Sequence, residues 1–231
     1  MDSGTVWSIV TMIATATFVV VVLSQCRRPW GWVGRLMIWR MNLGHSKLTD
    51  WGLSHVAISD DFTILDMGCG GGRTVQKLAV KASHGKVYGA DYSKSSVAAA
   101  RSRNQHSIED GSVGIVRSTV SSLPFPDTMF DLVTAVETHY YWPDLVADLG
   151  EIRRTLKRGG RLIVIAETYK GRKDLDGLFQ VTMKILGGDS LTADEHREAF
   201  ESAGFSEVEV FEEPKKGWIC CVGTAEAVVA R

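Results

Sequence analysis

From Thr63 to Thr74 the chain reads TILDMGCGGGRT, and between positions 68 and 72 every residue but Cys69 is glycine. An apolar strand-like run that ends this way bends bare backbone around something, because glycine turns tightly and lets a ligand touch the main chain. Three ligands fit such a loop: a phosphate, a dinucleotide and a sulfonium nucleoside. A phosphate loop needs G-x-x-x-x-G-K-[ST], but the Gly85–Lys86 pair runs into Val87, so that reading fails. A dinucleotide fingerprint needs G-x-G-x-x-G, whose third glycine lets helix and strand approach. Counted from Gly68 and Gly70, the third place is Arg73; the spacing is instead G-x-G-x-G over Gly68, Gly70 and Gly72. Asp91, in GADYS, ends the next strand-like run, where a carboxylate takes both hydroxyls of a ribose. Tyr92 beside it offers a flat face to a purine. A ribose and a base without a pyrophosphate loop point to S-adenosylmethionine, whose amino-acid end can lie over the glycines.

Methyl transfer from a sulfonium is an in-line displacement, so an enzyme gains most by fixing nucleophile, methyl carbon and sulfur on one line. A base is needed only where the acceptor still carries a proton when it attacks. The loop ETHYYWPD after the fourth strand-like run supplies Glu137, His139, Tyr140, Tyr141 and Trp142. His139 is the candidate base, with the alternative that it merely bonds a loop carbonyl. Tyr140 and Tyr141 are candidates for shaping the methyl pocket, and Glu137 reads as a cofactor contact more than an acceptor contact. His45 and Trp51, in NLGHSKLTDWGL, belong to a segment expected to cover the cleft and are weaker candidates. His196 falls in the first turn of a helix expected to be exposed, and reads as structural. The histidines and cysteines show no zinc-like spacing, so no metal is expected.

The elements that must carry these residues alternate. Strand-like runs at 63–67, 85–90, 113–117, 130–136 and 161–167 are separated by helical stretches at 74–83, 94–104 and 145–156, the last closed by KRGG. This alternation predicts βαβ units and a parallel sheet with ligands at the carboxyl ends of its strands. Thr192 and Glu195 form a capping-box start for a helix that Gly204 stops. Two last runs, 206–211 and 218–225, joined through Pro214 and Gly217, predict an antiparallel hairpin.

Four blocks, ILDMGCGGG, VYGADYS, LPFPDTMFDLVTAVET and LKRGGRLIVI, resemble in content, order and spacing the class I S-adenosylmethionine-dependent methyltransferases of the small-molecule, type 11-like kind. The resemblance runs from about Asp50 to the C-terminus. It implies an α/β fold with a Rossmann-like, seven-stranded, mostly parallel sheet ending in the antiparallel hairpin. It also implies that Asp66, Gly68, Gly70 and Gly72 hold the methionine end, that Asp91 holds the ribose and that Tyr92 neighbours the adenine. Members often carry an acid before the LPF block; this chain has Thr119 there, whose hydroxyl, or the backbone of Val120, would substitute. The duller readings are that the glycines only turn the chain, Asp91 caps the next helix and Tyr92 is core. Two other functions stay open: a non-catalytic S-adenosylmethionine-binding regulator, and an NAD-linked oxidoreductase, against which the missing third glycine counts.

The N-terminal part reads differently. Residues 3–26 carry no charge, and as a helix they reach about 36 Å, enough to cross a hydrocarbon core. A signal peptide would want a basic start, and only Asp2 precedes the run. The expectation is a membrane anchor at 1–26, an interfacial and cleft-covering segment rich in Trp and Arg at 27–60, and the methyltransferase domain at 61–231. Arg27, Arg28, Arg35, Arg40 and Lys47 put the domain on the cytoplasmic side of a single pass. The balance of 26 basic against 27 acidic side chains gives no footprint for nucleic acid. A small acceptor is therefore expected, lipophilic if the anchor holds the cleft at a membrane. Cys26, Cys69, Cys220 and Cys221 read as reduced thiols.

Overall fold

The computed structural model describes residues 45–167 and 190–226 throughout, and residues 4–8, 10–12, 15, 25, 31, 33, 34, 36, 169 and 188 besides. Seven strands form one sheet: β1 (Thr63–Met67), β2 (Lys86–Asp91), β3 (Val113–Arg117), β4 (Phe130–Val136), β5 (Leu156–Ala166), β6 (Ser206–Glu213) and β7 (Trp218–Ala225). Their order is β3-β2-β1-β4-β5-β7-β6. The first five pair in parallel, and β7 is antiparallel to both β5 and β6. The order reverses between β1 and β4. At such a switch point the connections leave in opposite directions and a crevice opens at the strands' carboxyl ends.

Helices cover both faces: α1 (Ser46–Leu53), α2 (Arg73–Lys81), α3 (Lys94–Arg103), α4 (Gln105–Glu109), α5 (Leu145–Thr155) and α6 (Ala193–Ser202). Consecutive strand residues point to opposite faces, and the core divides accordingly. Leu65, Val133, Leu162, Val164 and Cys221 pack with Leu149, Ile152 and Phe200 on one side. Ile64, Leu132, Ile163, Ile165 and Cys220 pack with Leu48, Leu53, Val75, Leu78 and Val97 on the other. The neighbouring thiols Cys220 and Cys221 thus lie on opposite faces, and they and Cys69 are buried and unpaired.

The capping box forms: the Thr192 amide donates to Glu195 Oε2 at 2.7 Å, and the Glu195 amide to Thr192 Oγ1 at 3.1 Å. Gly204, with φ of 86°, follows the end of α6 as expected. The KRGG stretch departs from expectation. It lies inside β5, which starts at Leu156 opposite Phe130, rather than between helix and strand. Gly159 takes a φ of 76°, and the register shifts between Phe130 and Leu132, so a glycine bulge absorbs residues that otherwise read as a loop.

In the N-terminal part, the described residues 4–8, 10–12 and 15 are helical and exposed. Thr11 and Thr15 hydroxyls bond back to the carbonyls of Trp7 and Thr11. No helix among the described residues is long and apolar enough to cross a membrane. The expected anchor at 1–26 and the Trp/Arg-rich part of the following segment lie largely outside the described residues, as does most of the insert between β5 and α6.

Candidate active site

The crevice at the β1/β4 switch is a cavity of about 260 Å³. Its floor is the turn from β1 into α2. Gly68, Gly70 and Gly72 have φ of 73°, 50° and 76°, so this turn needs glycine at each. The three do different work. A Cβ at Gly68 would stand 2.3 Å from Thr138 Oγ1, and one at Gly72 2.8 Å from the Ala100 backbone, so both are packing requirements. A Cβ at Gly70 would meet no protein atom within 4 Å, because that backbone faces the cavity. Gly72, the N-cap of α2, does not line the cavity; the Asn104 amide holds its carbonyl at 3.0 Å.

Asp91 closes the adjacent wall. Its Oδ2 accepts the Gly70 amide at 3.0 Å and its Oδ1 the Ser93 amide at 2.8 Å, so the carboxylate at the tip of β2 is locked to the glycine turn. Burial raises its pKa and these bonds oppose the rise. Tyr92, Thr119 and Val120 line the same side of the cavity. Asp66, at the end of β1, accepts the Thr134 hydroxyl on Oδ1 at 2.7 Å. Its Oδ2 is buried with no hydrogen-bond partner among the described residues, and burial pushes the carboxyl up to about 7. A buried acceptor left unmatched on a cavity wall fits a ligand that brings a cationic donor. A bare-backbone cradle, a bridged ribose-type acid and this orphaned oxygen together fit S-adenosylmethionine.

The opposite wall is the β4 exit. Glu137, Thr138, Tyr141, Trp142 and Pro143 line it. His139 and Tyr140 do not. Residues His139–Tyr141 form a 3-10 turn that carries the His139 ring away from the cavity into a buried contact with His196. The two imidazoles meet Nε2 to Nε2 at 3.0 Å, while His196 Nδ1 lies 2.7 Å from the Thr192 carbonyl. A carbonyl only accepts, so His196 Nδ1 carries hydrogen, His196 Nε2 accepts, and His139 Nε2 donates. His139 Nδ1 is left buried without a partner among the described residues. Burial lowers both pKa values, and the facing imidazole lowers that of His139 further. His196 is thus buried, not on the exposed helix face that the sequence implied. Tyr140 is buried too, its hydroxyl 3.4 Å from Glu137 Oε1.

α1 brings in what the sequence ranked lower. His45, its N-cap, with Ser46 and Thr49, lines the cavity mouth. Lys77 ties this helix down by donating to the Ser46 carbonyl at 2.9 Å and to Asp50 at 2.5 Å. Trp51 instead packs on Trp218, its ring centroid 5.7 Å away. Glu167, just past β5, is the residue sequence reasoning missed. Its amide donates to Glu137 Oε1, and its Oε2 lies 3.6 Å from His45 Nε2. Donor atoms of His45, Glu137 and Glu167 all fall within 4.8 Å of one another. The signal was available: neighbouring strands end in AVET and IAET, and the parallel register pairs Val136 with Ile165, bringing the two glutamates to adjacent strand tips.

Comparison with known proteins agrees with this geometry. Residues 65–164 match the family model described as a methyltransferase domain. The methyltransferase YdaC of Bacillus subtilis is 23% identical over 163 residues, which cover 71% of this chain and 82% of that protein. The demethylmenaquinone methyltransferase of Thermus thermophilus is 34% identical over 131 residues, 54% of this chain and 58% of its own length. The sterol 24-C-methyltransferase ERG6B of Gibberella zeae is 30% identical over 160 residues, 66% of this chain and 42% of its own. The chain thus spans about half the length of these last two relatives. In fold, a SAM-dependent methyltransferase from Aquifex aeolicus superposes with a TM-score of 0.67 at 20% identity, over 82% of this chain and 97% of that one.

Proposed function

The chain carries a domain of the class I S-adenosylmethionine-dependent methyltransferases, and we propose that it moves the methyl group to a small lipophilic acceptor at the cytoplasmic face of a membrane. The observation that carries the reading is the cavity itself. One wall offers Asp91 and bare backbone for a nucleoside, and the facing wall at the β4 exit is largely aromatic and apolar, through Val136, Tyr141, Trp142 and Pro143. The cofactor supplies an electrophilic methyl on a good leaving group. The chain's own part is then to hold the nucleoside, align the acceptor and keep water out. The lipophilic acceptor is supported by that wall, by the uncharged stretch at 3–26 and by relatives named for quinone and sterol substrates.

The test is calorimetry of the full chain with S-adenosylmethionine, S-adenosylhomocysteine and NAD, followed by transfer of labelled methyl to quinols, sterols and long-chain thiols beside water-soluble phenols and amines. The expected result is binding of the first two ligands only, and transfer to the lipophilic set. Asp91→Ala should weaken both nucleosides by about 100-fold, since hydrogen bonds to a charged group contribute about 1.5–3 kcal/mol each. Tighter binding of NAD, or transfer to water-soluble acceptors alone, defeats the proposal.

A further inference from the structure

We propose that Glu137 is the base that takes the acceptor's proton. This rests on the methyl-transfer reading above and departs from the sequence expectation, which gave that role to His139 and made Glu137 a cofactor contact.

Glu137 is the first residue beyond β4, beside the β1 exit that carries Gly68, and it is one of the residues that line the cavity. It holds a φ of 56°, in the left-handed region that a residue with a Cβ avoids, while its amide still donates to the Ile165 carbonyl at 2.9 Å. Such conformations cost about 1–3 kcal/mol and persist where a site requires them. Oε1 is committed, accepting the Glu167 amide and facing the Tyr140 hydroxyl. Among the described residues Oε2 has no hydrogen-bond partner, and it is the oxygen left to take a proton.

The surroundings favour a proton that comes and goes. Among the described residues no lysine or arginine forms an ion pair with Glu137 or Glu167. The titratable groups around Glu137 are His45 from α1, Glu167 beyond β5 and Tyr140 and Tyr141 from the 3-10 turn. Asp66 and Asp91 from the strand tips and Arg73 and Lys77 from α2 line the rest of the cavity. Withdrawal from water, followed by the Glu167 charge, pushes the Glu137 carboxyl up to about 8, against the bonds from Glu167 and Tyr140. His45 and Glu167 then connect it to solvent, their side chains 25% and 51% exposed. His139 has no such access: it is buried, outside the cavity lining, and its Nε2 is occupied by His196.

The step balances. As the acceptor's heteroatom forms its bond to the methyl carbon, the carbon–sulfur bond breaks with its pair going to sulfur, and the acceptor's proton passes to Glu137 Oε2. A positive sulfonium nearby favours the carboxylate, so the base is unmasked when the methyl donor binds and loses that support once the sulfur is neutral.

That coupling gives a readout independent of turnover. Calorimetry of the full chain near pH 7.5, in phosphate and in Tris, counts protons released on binding S-adenosylmethionine and, separately, S-adenosylhomocysteine. Both ligands bring an amino group that Asp66 would meet, but the sulfonium lowers its pKa in S-adenosylmethionine, so the carboxyl's share of the difference is the part that Glu137→Gln removes. S-Adenosylmethionine should release at least 0.3 more protons per site, by the titration behaviour expected of a carboxyl near this pH. Glu137→Gln should remove that share and leave S-adenosylhomocysteine affinity within about threefold. The base assignment falls if both ligands release equally, if the difference survives undiminished in Glu137→Gln, or if that variant loses both ligands and so proves to be a cofactor contact. It falls as well if Mn²⁺ binds stoichiometrically and removes the difference, which would make the three side chains metal ligands. Failure of both nucleosides to bind the unaltered chain would instead sink the methyltransferase reading, and this proposal with it.

Discussion

Gly68 and Gly70 sit two residues apart in one turn and both hold positive φ, yet alanine at the two positions should fail in different ways. At Gly68 the new methyl would run into Thr138 at 2.3 Å, at the root of the β4 exit. The clash adds to backbone strain of about 1–3 kcal/mol, so Gly68→Ala should lower thermal stability whether or not cofactor is present. At Gly70 the methyl meets no protein atom within 4 Å and projects into the cavity. Gly70→Ala should pay only the left-handed strain, about 1–2 kcal/mol, and should lose nucleoside affinity by at least tenfold. Melting curves and calorimetry on the two variants separate the effects; equal loss of affinity with equal stability would mean that Gly70 does not face the ligand. At this scale the sequence was informative where a residue type has one use. The place of Asp91 beside the glycine turn was legible because few side chains can replace an acid or a glycine there. Glu167 was not, because its meaning depends on a neighbour 30 positions away.

The 3-10 turn His139–Tyr141 shows what an element decides that composition does not. A loop of polar and aromatic residues beside a cleft gives no periodicity from which to read direction, and this turn points His139 inward and Tyr141 to the cavity. The consequence is a tie between the β4 exit and α6 through the two imidazoles. Both imidazoles are held neutral, their pKa values below the ordinary 6.5. A depressed histidine pKa means the unfolded chain binds protons first as pH falls. The stability from this pair is therefore complete above about 6.5 and is lost on acidification below it. His196→Ala should cost about 1–3 kcal/mol by leaving His139 unmatched, and its melting temperature should depend less on pH between 7 and 5 than that of the unaltered chain. An unchanged slope would show that His196 is not buried neutral. The bulge at Gly159 makes the same point for a strand, since KRGG reads as a stop signal but serves as a register shift within β5.

For the whole molecule, the switch in strand order between β1 and β4 explains why residues from 45 to 143 converge on one cavity. Alternating strand and helix patterns made that topology legible, because each buried strand must be near-continuously apolar and each crossover helix amphipathic. The uncharged stretch at 3–26 poses a separate question, since its length and composition can be read but its surroundings cannot. Among the described residues the cavity draws nothing in its lining from before His45. α1 is fixed to the domain by Lys77, by the Trp51–Trp218 contact and by Gly52, which lies so close to Ile165 that a Cβ would stand 2.4 Å from its Cδ1. A chain lacking residues 1–40 should therefore keep nucleoside affinity within about threefold, because its ligand wall and the packing of α1 are intact. It should also move from the membrane fraction to the supernatant, by loss of a segment whose apolar burial would exceed about 10 kcal/mol at 25 cal/mol per Å². Retention in the membrane fraction would shift the attachment to the catalytic domain or to the segment after residue 40, and the transmembrane expectation for residues 1–26 would be withdrawn.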